Sequence, residues 1–124
     1  MLEDSQKAVL IVLFIPSVER DGLSQVDQDG WVERALTFFG TLFGGATAYP
    51  KAKGVWRDDE RGGVLVRDEP VVLQCYVGPM ALSDSSLDQL REFCALMGRE
   101  TRQGEVGLVI DGNYLGIRDL EEPR

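Results

Sequence analysis

From Ala8 to Ile15 the chain is continuously apolar and rich in β-branched residues, and Pro16 closes the run, which predicts a buried strand. Val18 to Gln28 is polar, contains Gly22 and reads as a loop. Asp27 or Asp29 is placed to cap a helix in which Val32, Ala35, Leu36, Phe39, Leu42 and Phe43 recur at helical spacing. Gly44 and Gly45 supply its stop. Ala46–Tyr49 then reads as a short strand ending at Pro50. Val55–Arg57 and Val64–Arg67 flank the turn-like DDERGG as a small hairpin, and Val71–Val77 follows Pro70 as another strand. A second helix starts among Ser83–Ser86, where Ser85 with Asp88, or Ser86 with Gln89, approximates a capping box. Its stripe is Leu87, Leu90, Phe93, Cys94 and Met97, and Gly98 is its expected end. Glu105–Ile110 and Tyr114–Ile117 flank Asp-Gly-Asn, a hairpin signal.

This order predicts an α+β fold, a ferredoxin-like βαββαβ sandwich with an extra β-hairpin between the second and third principal strands. In that topology the first and third principal strands are central, and here those two are the most apolar. One domain accounts for residues 1–124, with 118–124 as a charged, frayed tail.

Two helices on one side of a sheet leave the other side open, and the two-residue alternation of a strand sorts residues between faces. Val71, Leu73, Cys75 and Val77 face the helices, as do Ala46, Ala48, Val106, Leu108 and Ile110. Thr47, Tyr49, Gln74, Tyr76, Gly107 and Val109 fall on the open face, joined by Leu10, Val12 and Phe14 or by their neighbours. That surface is too apolar to stand in water. A homodimer packed sheet to sheet, or the Val55–Arg67 hairpin, is the expected cover. The other option is a pocket between sheet and hairpin with Tyr49, Gln74 and Tyr76 as its polar groups.

Composition narrows the chemistry. The 124 residues fit one domain, 44% of them are hydrophobic, and the net charge of −8 disfavours nucleic acid and anionic membranes as partners. There is no histidine, so the commonest general base and metal ligand are missing, along with every triad that needs one. The two cysteines, Cys75 and Cys94, lie in apolar surroundings and read as small core residues that suit a reducing compartment. Glu3 and Asp4 precede the first apolar run and no small-residue cleavage site follows it, so the run is not an export signal and a cytoplasmic protein is expected.

Asp58, Asp59 and Glu60 stand between Arg57 and Arg61. They are weak candidates for a metal, because their spacing matches no calcium loop, and a turn paired with its own arginines explains them better. Trp56 reads as sheet-edge cover or as an aromatic anchor for a partner, and Trp31 shares that ambiguity. Gly44-Gly45 lacks the lysine of a phosphate loop, and the basic residues are scattered.

The stretch FGGATAYP…GVWRDDERGGVLVRDEPVVL resembles a bacterial domain family of unknown function, small α+β proteins with a Gly-x-Trp-Arg element. The matching positions are Gly45, Gly54, Trp56, Arg57, Gly63, Arg67, Glu69 and Pro70, about a quarter of the chain in direct match. Members are often exported, whereas no export signal is read here, and Ala46 and Asp68 depart from the pattern. The resemblance implies a fold and brings no activity.

The expected function is therefore a non-catalytic acidic interaction module of immunity, antitoxin or accessory-subunit type. It would be dimeric, need no cofactor, and recognise a protein partner, either a basic one through its acidic surface or one docked on the open sheet face, with Thr47, Tyr49, Trp56, Arg57, Gln74 and Tyr76 as the ligand or partner surface. The alternative is a small-molecule binder or enzyme with a pocket on the open sheet face, built around Tyr49, Tyr76, Gln74 and Arg57.

Overall fold

The computed structural model of the chain describes residues 8–118. Most of the charged tail and the acidic residues before the first strand lie outside that range. The elements in order are β1 (Val9–Ile15), α1 (Gln28–Phe43), β2 (Thr47–Tyr49), β3 (Gly54–Asp58), β4 (Val64–Asp68), β5 (Val71–Val77), α2 (Asp84–Glu100), β6 (Val106–Ile110) and β7 (Asn113–Ile117). They make an α+β fold with a five-stranded sheet ordered β2-β5-β1-β6-β7, antiparallel at every pairing, and a separate two-stranded sheet, β3-β4.

The most apolar strand, β1, is central because both its edges and its inner face are covered. Ile11, Leu13 and Ile15 are buried beneath the helices beside Leu73 and Cys75 of β5 and Leu108 of β6. From α1 come Trp31, Ala35 and Phe39, and from α2 Leu90, Cys94 and Met97. Between the helices Phe38 stacks on Phe93, with centroids 4.6 Å apart. Both cysteines are buried and free. Burial pushes the Cys94 thiol up to about 12, so it packs as a neutral hydrophobe.

Helix ends follow local chemistry. Asp27 caps α1 by accepting from the Gly30 amide, and Gly44 closes it in the left-handed region at φ 98°. Helix α2 takes one of the expected caps but not the expected capping-box pairs, and it runs past its expected end. Its cap is Ser83, paired reciprocally with Ser86: each backbone amide donates to the other's hydroxyl, at 2.9 and 3.1 Å. The Ser86 hydroxyl also donates to the Ala81 carbonyl, which ties the first turn to the segment before it. Gly98 does not end the helix. It is buried inside it, where a Cβ would stand 3.0 Å from a Val106 methyl, so the glycine lets α2 lie close on β6.

A four-stranded count omits β7. The Asp111-Gly112 turn has φ 53° and 82°, the left-handed pair of a two-residue hairpin, and it folds Asn113–Ile117 back along β6. That register puts Tyr114 opposite Val109 and Gly116 opposite Gly107, both on the open face.

Candidate functional site

The alternation resolves the open face. With Ile11, Leu13 and Ile15 buried, Leu10, Val12 and Phe14 point outward. Register then draws two rows across the sheet. One runs Thr47, Gln74, Val12, Val109, Tyr114, and the other begins Tyr49, Val72, Phe14.

The β3–β4 hairpin folds toward one end of this face and is fixed there by side chains. Asp68 accepts from the Ser17 amide at 2.9 Å and from its hydroxyl at 2.5 Å, while the Glu69 amide donates to Ser17 Oγ at 3.0 Å. Val66 is buried close against Gly22, so the hairpin also seats an apolar residue on the loop after β1. At the hairpin tip Asp58 is 1% exposed, takes a 2.7 Å hydrogen bond from Arg61 Nε and lies 4.0 Å from Arg20. The Arg61 hydrogen bond holds its carboxyl below the usual range, with further help from the Glu60 amide and the Arg20 charge.

Between hairpin and sheet lies a cavity of about 520 Å³. Gly54–Glu60 wall one side. Phe14, Pro16 and Arg20 lie on another, and Gln103–Gly107, Tyr114 and Arg118 complete it. Two in-register glycines shape the sheet side. A Cβ on Gly107 would sit 3.2 Å from Phe14 and Tyr114, and one on Gly116 would collide with the Glu105 carboxyl. The Tyr114 hydroxyl donates to Glu105 Oε2 at 2.8 Å, and Arg118 Nη2 lies 3.2 Å from Oε1. Desolvation, then the bond to Glu105 and its charge, push the Tyr114 phenol up to about 12.

The residues singled out from sequence divide. Trp56, 37% exposed, and Arg57 line the cavity. Thr47, Tyr49, Gln74 and Tyr76 are on the open face as expected, yet they stand on β2 and β5, away from the end the hairpin covers, and do not line it. Gln74 Nε2 donates to the Tyr49 hydroxyl at 3.0 Å, so those two satisfy one another. Asp58, Asp59 and Glu60 do not converge. Asp58 turns inward to Arg61, Asp59 is bonded to Arg57 at 2.5 Å, and Glu60 pairs with Arg20. Trp31 is core, edge-on to Phe93 with the Arg34 guanidinium 3.9 Å from its ring centre.

Glu105 and Tyr114 stand outside the residues the sequence points to, although a signal for them is present. Glu105 has the open-face parity of Gly107 and Val109, and a two-residue Asp-Gly turn sets Tyr114 opposite Val109.

No family model and no curated protein matches the chain. Among solved structures, the fold is similar to a phage SAM lyase in complex with S-methyl-5′-thioadenosine, with a TM-score of 0.69 and 13% identity over 92% of each chain. It is similar also to a phage SAM lyase in the apo state, with a TM-score of 0.59 and 14% identity over 89% of this chain and 88% of that one. At such identity the likeness shows the fold. It corrects the expectation of a non-catalytic acidic interaction module: both of these similar structures are of an enzyme, one of them holding a small molecule.

Proposed function

We propose that this chain is a lyase acting on S-adenosylmethionine and releasing S-methyl-5′-thioadenosine from the cavity between hairpin and sheet. One observation carries the reading. A fold that matches a thioadenosine-bound SAM lyase over 92% of both chains has, here, a cavity of about 520 Å³ with a part-exposed tryptophan in its wall. That volume lies within the roughly 300–1,000 Å³ of small-molecule sites.

The chemistry suits a chain without histidine. S-methyl-5′-thioadenosine keeps the methyl and adenosyl groups of S-adenosylmethionine, so the bond that breaks joins sulfur to the aminobutyrate methylene. Its electron pair goes to the sulfonium, which leaves as a neutral thioether and needs no proton from a general acid. The carbon left behind is satisfied within the aminobutyrate fragment, by loss of a neighbouring proton to a lining carboxylate or to water, giving an alkene, or by ring closure of its own carboxylate, which needs no base. What the protein supplies is orientation of the sulfonium and its aminobutyrate chain for cleavage. Trp56 offers a flat face for the purine or the sulfonium. Five acids line the cavity against its own three arginines and the Arg61 that holds Asp58, a slight acidic excess that favours the cationic substrate over the neutral product.

The frame is read here as ferredoxin-like. With β1, β2, β5 and β6 as principal strands, the order β6-β1-β5-β2 and the positions of the two helices support it, and β7 is an added edge strand.

Incubation of the protein with S-adenosylmethionine, followed by chromatography, should show S-methyl-5′-thioadenosine accumulating as substrate disappears. Substrate decay no faster than in buffer would refute the lyase reading.

A further inference from the structure

Glu105 is braced for more than packing. Tyr114 and Arg118 bind separate oxygens of its carboxylate, and the absence of a side chain at Gly116 makes room for it. A buried structural ion pair would be closed to water, but the Glu105 side chain is 33% exposed and that of Arg118 62%. Such a pair is held weakly and exchanges readily for other charges. It also stands on the wall of the cavity opposite Trp56 of the hairpin.

We propose that Glu105 and Arg118 form the subsite for the α-amino-acid end of the nucleoside ligand, Glu105 taking the ammonium and Arg118 the carboxylate. The proposal rests on the adenosyl reading of the cavity. In the free protein the two residues satisfy each other. When the zwitterion enters, its two charges replace that ion pair, and Tyr114 keeps Glu105 in place once Arg118 swings away. Tyr114 is thus a positioning residue with respect to Glu105. The arrangement separates substrate from product, because S-methyl-5′-thioadenosine has no amino-acid end and forfeits both contacts. Release of product then follows from cleavage itself.

The test compares two neutral thioethers, S-adenosylhomocysteine, which carries the amino-acid end, and S-methyl-5′-thioadenosine, which does not. Calorimetric titration of each into wild-type protein, Glu105→Gln and Arg118→Met, with a melting curve for every variant, isolates the subsite from sulfonium chemistry. Wild-type protein should bind S-adenosylhomocysteine more tightly. Each variant should lose about tenfold or more of that affinity, the loss expected of a charge-assisted hydrogen bond, and retain its affinity for S-methyl-5′-thioadenosine within about twofold. Equal losses for both ligands, or none, would overturn the subsite and leave the adenosyl reading standing. Wild-type protein that binds neither ligand would overturn both. If Glu105→Gln melts early, Arg118→Met decides, since Arg118 is exposed at the end of β7.

Discussion

Two sets of acids meet at the cavity, one in the tight turn after β3 and one, Glu105, at the entrance to β6. The turn acids are conspicuous in sequence and each is consumed by an arginine: Asp58 by Arg61, Asp59 by Arg57 and Glu60 by Arg20. Asp58 is buried and its bonds fix the hairpin tip against the loop that follows β1. Glu105 is inconspicuous and only loosely paired. It faces the cavity with a tyrosine bracing it. Density of charge along a chain here marks where the wall is built, and the more exposed cavity-facing carboxylate comes from a strand end whose partners stand on the next strand and just beyond it.

The largest expected effect separates these two roles by stability. Asp58→Ala leaves Arg61 without its acid, weakens the hold on Arg20 and opens a hole where a buried carboxylate stood, so the hairpin should open, with a marked fall in Tm and faster amide exchange along Val64–Asp68. Glu105→Gln should change stability by no more than about 0.5 kcal/mol, as at other partly exposed sites. Asp58 also contributes a pH dependence of known sign. Its folded pKa lies below the ordinary 3.8, so its stabilisation is complete above that value and is lost as pH falls through the folded one. Below pH 3.8 the wild-type protein should therefore lose stability more steeply than Asp58→Asn. Parallel acid limbs would show that Asp58 is no anchor.

A smaller effect concerns the bracing of Glu105. The Tyr114 phenol is raised to about 12 by desolvation and by its bond to Glu105. Its folded pKa exceeds the ordinary 10.0, so its contribution to stability is present below pH 10 and fades as pH rises toward 12. Ultraviolet titration of the three tyrosines should show one late phenol that disappears in Tyr114→Phe and moves down in Glu105→Gln. A late phenol that Glu105→Gln leaves in place would deny the bond its role.

The contrast also explains what was legible in the chain. Strand alternation identified the core face of β5 and the open-face positions, because a half-buried strand writes its two faces at every second residue. The Asp-Gly pair announced the last hairpin. The location of the cavity on the open face was not legible, since the hairpin's approach depends on Ser17 meeting Asp68 and Arg20 meeting Asp58, contacts 51 and 38 residues apart that no local pattern encodes. Tyr49, Tyr76 and Gln74 were selected for their chemistry on the correct face, and the hairpin covers the other end of it. The choice of Ser83 as cap was hidden for a simpler reason: Ser83, Asp84, Ser85 and Ser86 are adjacent candidates, and only the reciprocal pairing of Ser83 with Ser86 separates them.

Trp56 allows the central claim to be tested directly. Of the two tryptophans, Trp31 is buried against Phe93 and Trp56 stands in the cavity wall, so fluorescence that responds to a ligand in the cavity comes from Trp56. Titration with S-methyl-5′-thioadenosine should quench the wild-type emission saturably. In Trp56→Phe the quench should vanish while a calorimetric signal, weakened by up to about tenfold, persists. Saturable quenching that survives in Trp56→Phe, or no response in either protein at millimolar ligand, would contradict an adenosyl site between the hairpin and the sheet.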